Sequence, residues 1–591
     1  MYLRTTARTN KDGSTSAYVQ LAHNYRDPDT GRPKPRTLFN FGRRERVDQG
    51  ALRRLVGSIN RFLGPKAELA SLVEDASGEA MHFIASRPMG SAWLLHGLWQ
   101  RLGIGAELGT LAKARQVADP DGVAGCIFAM VANRALDPLS KHATPAWLEG
   151  DVVVPAAPAD IYDERLVRAM DVLVGAGEEL QRAVYYATAD LLNLEVDLLL
   201  YDTTSSCFEM EDDDEERAER EGRWRAYDLG LGPEPTRPRP QVVNTPAFRM
   251  HGHSRDRRPD LAQVGVGLAV TREGIPVRCW VWPGHSNDST TVAEVKASLR
   301  GWRLNRVVWA VDRGMVSEDT LRELQRGGAH TIAGERMRAG KKTVDQALSR
   351  AGRYQVVRDS LEVKEVIVGT GEARRRYVLV RNPAQVERER ESRELILQRL
   401  AQELERLPAD REAHTKAVCA LVAHRTLGRY LTKDRRGRLV IDRAKVKAEE
   451  RLDGKYLIVT SDDTLSTEDV ALGYKQLAEV ERAGRALKSD LDLRPMYHRK
   501  ADRITAHVML CWLALLLVRV CEVRCGRTWR QIHQEMDRLQ RGEFEGPAGR
   551  FAQRTELTPL QAHILKTLEI APPPRFQMIE PVAPETARVA S

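Results

Sequence analysis

The chain has 591 residues, with 91 Lys and Arg against 82 Asp and Glu, a net charge of +9 and 42% apolar residues. This length exceeds what one hydrophobic core supports and predicts several domains of a soluble globular protein. The longest apolar run, Val508 to Val518, predicts a buried helix and no membrane, and the absence of a signal segment and the seven scattered Cys predict a cytoplasmic chain without a disulfide framework.

The positive charge is concentrated. Residues 1–60 carry 12 Lys and Arg against 5 Asp and Glu, and residues 481–530 carry 11 against 5. Two basic regions so far apart in the chain point to a polyanion held at two places. In chain order, residues 1–85 read as a small basic module. Its strand-like Ala17–Leu21 is followed by turns such as Asp27–Gly31, and Arg36, Arg43, Arg44 and Arg46 surround Phe39 and Phe41. Cations and aromatics so arranged suit a DNA end, and equally a solvated β surface. Residues 86–192 are helical in period, with Leu and Ala at helical spacing.

From 193 to 334 the pattern alternates. A strand ending on Asp202 is followed by the charged stretch Glu209–Glu221, whose run Glu211–Glu216 reads as solvated. Next come a hairpin over Val264–Val270 and Val277–Trp282, a helix, a strand ending on Asp312, the Gly314 turn, a helix from Ser317, and the short strand His330–Ala333. Residues 335–465 read as an α+β insertion, with strand-like Tyr377–Val380 and Tyr456–Val459. Residues 466–525 resume the alternation, and 526–591 read as a helical tail.

Tyr474 to Lys488 reads as one helix, opened by the capping segment Ser466–Asp469 and closed by Pro495. Leu477, Val480, Leu487 and Leu491 form its apolar stripe. Tyr474, Glu481 and Lys488, seven residues apart, line a second face at roughly 10.5 Å intervals, with Arg485 beside them. Glu479 lies roughly 160° around the helix from Glu481, and Asp319 falls inside a helix, so both are decoys. Adjacent strands of one sheet would bring Asp202 and Asp312 together, and the helix would lay Glu481 over them. Three carboxylates repel unless a cation sits among them. Mg²⁺ takes such oxygen ligands, and two ions can serve the attacking and leaving oxygens of a displacement at phosphorus.

This layout resembles the ribonuclease H-like core of DDE transposases: an α/β fold, a mixed sheet with helices on both faces, here interrupted by a large insertion and preceded by a basic β module and a helical region. Tyr474–Lys488 resembles the YREK signature of one group of bacterial insertion-sequence transposases, with Leu477 where that signature has Arg. Gly252–Asp260, Arg494–His498 and Arg503–His507 resemble its flanks. The resemblance implies that Asp202, Asp312 and Glu481 hold two Mg²⁺ (or Mn²⁺), with water or a 3′-hydroxyl as nucleophile. It also implies that Tyr474 and Lys488 contact DNA phosphates. Charge and position add Arg485, Arg494, His498 and Arg499 to that phosphate ridge. The implied function is cleavage and strand transfer at the ends of the chain's own element. Its partners are double-stranded DNA, both terminal inverted repeats and target, bound by a homodimer. The alternatives are a nuclease on the same core and a DNA-binding descendant without catalysis.

Overall fold

The structure is a computed structural model and describes residues 2–9, 15–26, 33–44, 47, 82–192, 198–302, 307–312, 317–326, 328–338, 340–358, 361–407, 411–546 and 549–581. The Asp27–Gly31 turn, Arg46, the start of the Asp202 strand at 194–197, the Gly314 turn and residues 582–591 lie outside these. The chain forms two compact units. One comprises Met1–Ser86, Gly542–Gln553 and Arg575–Ser591; the other comprises Arg87–Arg541 and Arg554–Pro574.

The smaller unit holds an antiparallel sheet of β1 (Tyr2–Thr9), β2 (Thr15–Arg26) and β3 (Pro33–Arg43). Arg36, Arg43 and Arg44 are exposed on it, as is Phe39, whose ring meets Phe41 edge-on at 5.0 Å. A second sheet runs Phe576–Pro581, Gly549–Arg554, Gln540–Gly546 and β4 (His82–Pro88). The expected helical tail is therefore helical only in part. Gln540–Gly546 and Gly549–Arg554 are mostly polar and show no apolar alternation. They are held by pairing and by Phe544 stacked on Phe551 at 5.0 Å, which a hydrophobic period does not reveal.

The larger unit is built on β5 (Leu198–Cys207), β6 (Gln263–Val270), β7 (Pro276–Pro283), β8 (Val308–Val311) and β9 (His330–Glu335), in the order β7-β6-β5-β8-β9. The pairs β5/β8 and β8/β9 are parallel, and the hairpin β6/β7 is antiparallel to β5. This is the ribonuclease H-like arrangement that the resemblance implied.

The sheet does not stop where the insertion begins. β10 (Gln355–Arg358), β11 (Leu361–Val368) and β12 (Arg375–Arg381) join it through β15 (Lys455–Thr460), which pairs antiparallel with β9 and makes nine strands. Among the described residues, 383–407 and 411–450 stand apart, as helices plus the short hairpin β13 (Leu431–Lys433) and β14 (Leu439–Ile441) around Leu400, Leu427, Tyr430 and Leu431.

Side-chain alternation sorts the sheet between two cores. Leu198, Leu200, Val308 and Ala310 face the helices of residues 90–192, the helix Leu477–Ser489 and the helix Ala501–Cys525. Leu199, Tyr201, Trp309 and Val311 face Val292, Val295, Leu324, Val344 and Ala347 from the helices on the other side. Ala501–Cys525 is long and apolar enough to cross a membrane, but 89% of its most apolar window is buried against the rest of the protein. It is the core helix expected from Val508–Val518.

The acidic run is solvated only at Glu211, Glu215 and Glu216. Asp212, Asp213 and Asp214 are buried, paired respectively with Arg220 and Arg237, with His251, and with Arg249. Asp214 accepts from Arg249 Nη2 at 2.6 Å, the Arg249 backbone at 2.7 Å and Asn244 Nδ2 at 2.8 Å. Asn244 in turn binds the Arg499 carbonyl and the Ala501 amide at the start of the long helix. Burial alone would raise the Asp214 carboxyl. The hydrogen bonds from Arg249 outweigh it and hold the pKa below the usual carboxylate range.

Asp214→Ala strands Arg249 and is expected to cost about 3–5 kcal/mol at pH 7 in chemical denaturation. A folded pKa below the unfolded one gives stability that is complete above the unfolded value of about 4 and is lost as the pH falls through the folded value. The gap between wild type and variant should therefore narrow below about pH 4; a gap that is constant with pH contradicts the pairing.

Candidate active site

Strand alternation fixes two of the acids. Tyr201 is level with Val311 in the parallel pair β5/β8, so the next residues, Asp202 and Asp312, fall side by side. Both continue the Leu200 and Ala310 parity and face the core that the Glu481 helix covers. β5 does not end at Asp202. It runs five residues further against β6, and it is the neighbour β8 that stops. Asp202 is thus held mid-strand where the sheet opens on one side.

The third acid comes from the helix Leu477–Ser489. Leu477, Val480 and Leu487 of its stripe are buried, as is Leu491 just beyond its end, and Glu481 is exposed on the flank. The single helix expected from 466 is two helices. Thr467–Lys475, capped by Ser466 as anticipated, ends at Gln476, and a new helix starts at Leu477. Tyr474 and Glu481 therefore do not share one ridge, yet Tyr474 Oη lies 3.4 Å from Asp312 Oδ1. The second helix ends at Ser489, well before Pro495. The Leu491 and Leu493 amides close back on Ala486 and Leu487, and Asp492 is left-handed at φ 44°.

Asp202, Asp312 and Glu481 line one open cavity of about 570 Å³, together with Arg255, Asp256, Arg485, Lys488 and Arg494. Among the described residues, no three His, Cys, Asp or Glu side chains converge closely enough to hold an ion. The three acids share a wall here rather than a coordination sphere. The donor set still fits a hard divalent cation: two neighbouring carboxylates on a rigid sheet, and a glutamate with no hydrogen-bond or ion-pair partner among the described residues.

Arg255 and Asp256, within the flank Gly252–Asp260 and without a role assigned from sequence, sit at the centre of the charge balance. Arg255 Nη1 lies 3.5 Å from Asp202 Oδ1, and the guanidinium also donates to Thr203. Asp256 takes Lys488 Nζ at 2.9 Å and Arg494 Nη1 at 2.8 Å. The available signal was one acid, Asp256, set among Arg255, Arg257 and Arg258 in a turn-rich segment. Burial lowers the Lys488 pKa, and the Asp256 hydrogen bond opposes it.

Arg485 is exposed at the rim, and Arg499 is exposed and bonds Gln241. His498 departs from the expected phosphate ridge. Its ring lies 5.5 Å from that of His507, and burial, then the charges of Lys141, Arg503 and Arg134, push its pKa down to about 4. A neutral imidazole offers no charge to a phosphate. The decoys behave as anticipated. Glu479 pairs with Arg482 and Arg519 away from the cavity, and Asp319 is exposed on its helix, 3.9 Å from Arg322.

Two family models match the chain and together span more than half of it. The N-terminal domain of IS1634 family transposases matches residues 3–69, and the transposase DDE domain matches residues 247–517. The second takes in Asp312 and Glu481 and begins downstream of Asp202. No curated protein matches. Among solved structures, a piggyBac transposase synaptic complex with hairpin DNA matches at TM-score 0.34 and 8% identity, over 74% of this chain and 79% of that one.

Asp256 competes with any polyanion for Lys488 and Arg494. Asp256→Ala is expected to tighten binding of a duplex DNA probe and to steepen its salt dependence by about one to two units. Weaker binding would instead mean that Asp256 holds both cations in position for the polyanion.

Proposed function

The chain is a DDE transposase of an insertion sequence, and on that premise we propose that Asp202, Asp312 and Glu481 are the acids of its reaction centre. Such enzymes bind DNA, cut it and transfer strands, and their DDE domains generally depend on divalent metal. The reading rests above all on one observation: two in-register acids on neighbouring parallel strands face the same side of the sheet, under the helix that supplies the third.

In this reading the three carboxylates hold two Mg²⁺ ions, with Mn²⁺ as a substitute. When bound, the ions supply Lewis acidity toward the attacking and leaving oxygens of an in-line displacement at phosphorus. The protein's own side chains do the rest. Asp202 and Asp312 present oxygen ligands from a sheet that cannot shift independently of its core. Glu481, without a hydrogen-bond or ion-pair partner among the described residues, adds a ligand from the helix. The Tyr474 hydroxyl orients the Asp312 carboxylate. Arg485, Lys488 and Arg494 receive the phosphates on either side of the cut, and Arg499 extends this row. Leu477, where the resembling signature has Arg, is buried in the core, so Arg485 supplies the corresponding charge. The DNA is double-stranded, comprising terminal inverted repeats and target, and the two ends are held by a homodimer.

Incubated with paired-end DNA and Mg²⁺, the wild-type chain is expected to give joined strand-transfer products. Asp312→Asn should lower their rate by at least about 10³-fold, in line with losing charge stabilisation at a transition state, while binding the same DNA equally well. Hydrolysis without joining would favour the nuclease reading. Undiminished transfer by Asp312→Asn would remove that residue from the reaction.

A further inference from the structure

Asp312 borders two cavities. Beyond the one it shares with Asp202 and Glu481 lies a second, of about 730 Å³, lined on its basic side by Arg336, Arg338 and Arg425 and on its aromatic side by Tyr456 and Tyr474. Two separate parts of the chain build it. Arg336 and Arg338 follow directly on β9, the strand beside that of Asp312. Arg425 comes from the turn after the helix Arg411–Ala423, within the part of the insertion that stands off the sheet.

The charges there are unequal in their engagement. Arg338 is tied to Glu449 at 3.0 and 2.9 Å, which braces the wall. Arg336 and Arg425 are exposed, and neither has a hydrogen-bond or ion-pair partner among the described residues. The carboxylates on the described lining are Asp312 and Glu335, and Glu335 is already paired with Lys341 at 2.9 Å. Two exposed guanidiniums without a partner among the described residues therefore line the same cavity as Asp312, and the other described carboxylate on it is already paired. The floor is fixed as well. The Tyr456 and Tyr474 rings lie 5.7 Å apart, and a Cβ on Gly334 would come within 2.1 Å of Tyr474 Oη, so only glycine there lets Tyr474 reach Asp312.

We propose that this cavity is a second nucleic-acid subsite, taking the phosphates of a single strand as it continues past Asp312, with Arg336 and Arg425 as its phosphate-binding residues. The proposal rests on Asp312 belonging to the reaction centre. A guanidinium matches two phosphate oxygens at once, and unpaired arginines on an exposed wall are recruited by a polyanion without first breaking an internal ion pair. The volume is that of a pocket for a small ligand, so one strand fits the subsite and a duplex groove does not. The part of the insertion that stands off the sheet then supplies one of the two cations, Arg425.

The test uses the full-length chain, without divalent metal so that no cleavage occurs. It measures binding of a blunt duplex and of the same duplex carrying a single-stranded extension at its 3′ or its 5′ end, over a series of salt concentrations. The variant R336A/R425A is expected to lose about tenfold or more in affinity for one of the extended duplexes, and its salt slope there should flatten by about 1.4 units, the share of two single-strand phosphate contacts. Affinity for the blunt duplex should stay within about twofold of wild type. R336K/R425K, which keeps the charges, should recover part of the slope. Unchanged binding of both extended duplexes overturns the proposal, as does an equal loss on blunt and extended DNA. Because the readout is binding, it is separable from the function reading: a wild-type chain that fails to transfer strands would undo the latter and leave this comparison intact.

Discussion

Carboxylates gathered on one cavity repel each other, and everything around Asp202, Asp312 and Glu481 answers that repulsion. Arg255 stands at Asp202 and the Tyr474 hydroxyl at Asp312, while Arg485, Lys488 and Arg494 ring the same space. The cations would crowd one another in turn, and Asp256 separates two of them by pairing with both. The result is a site balanced internally, charge against charge, before any metal or DNA arrives. Its parts resemble what they give way to: a guanidinium beside the acid that a divalent ion would bind, and a carboxylate on the cations that a phosphate would bind.

That balance needs rigid supports, and the sheet provides them. Leu198, Leu199, Leu200 and Tyr201 are buried on alternate faces between two helix layers, as are Val308, Trp309, Ala310 and Val311. A slip of one residue in either strand would turn its aspartate to the opposite core. The pairing of β15 with β9 carries the sheet beyond the aspartate strands to four more, so the insertion is anchored to the same framework as the acids. The buried Asp214–Arg249 pair, through Asn244, ties the segment after β5 to the start of the long apolar helix.

Much of this was legible from the residues. Apolar runs leading into Asp202 and Asp312, a hairpin with a Gly274 turn, and a helix with Leu477, Val480 and Leu487 on one side specify local structure and side-chain parity together. What was not legible depends on partners distant in the chain. Asp212–Asp214 look like a solvated run until Arg220, Arg237 and Arg249 are brought to them. Tyr456–Val459 can be placed in the sheet only once β9 is known to have an open edge. The helix break at Gln476 carries neither Gly nor Pro, and His498 is taken out of a basic surface by the residues packed over it.

The most direct measurement is the anomalous diffraction of crystals grown with Mn²⁺ and end DNA. Manganese peaks between the Asp202 and Asp312 carboxylates, with Glu481 drawn in as a ligand, are the expected result. Manganese bound elsewhere, or Glu481 still outside the coordination sphere with DNA in place, would contradict the reaction centre assigned here.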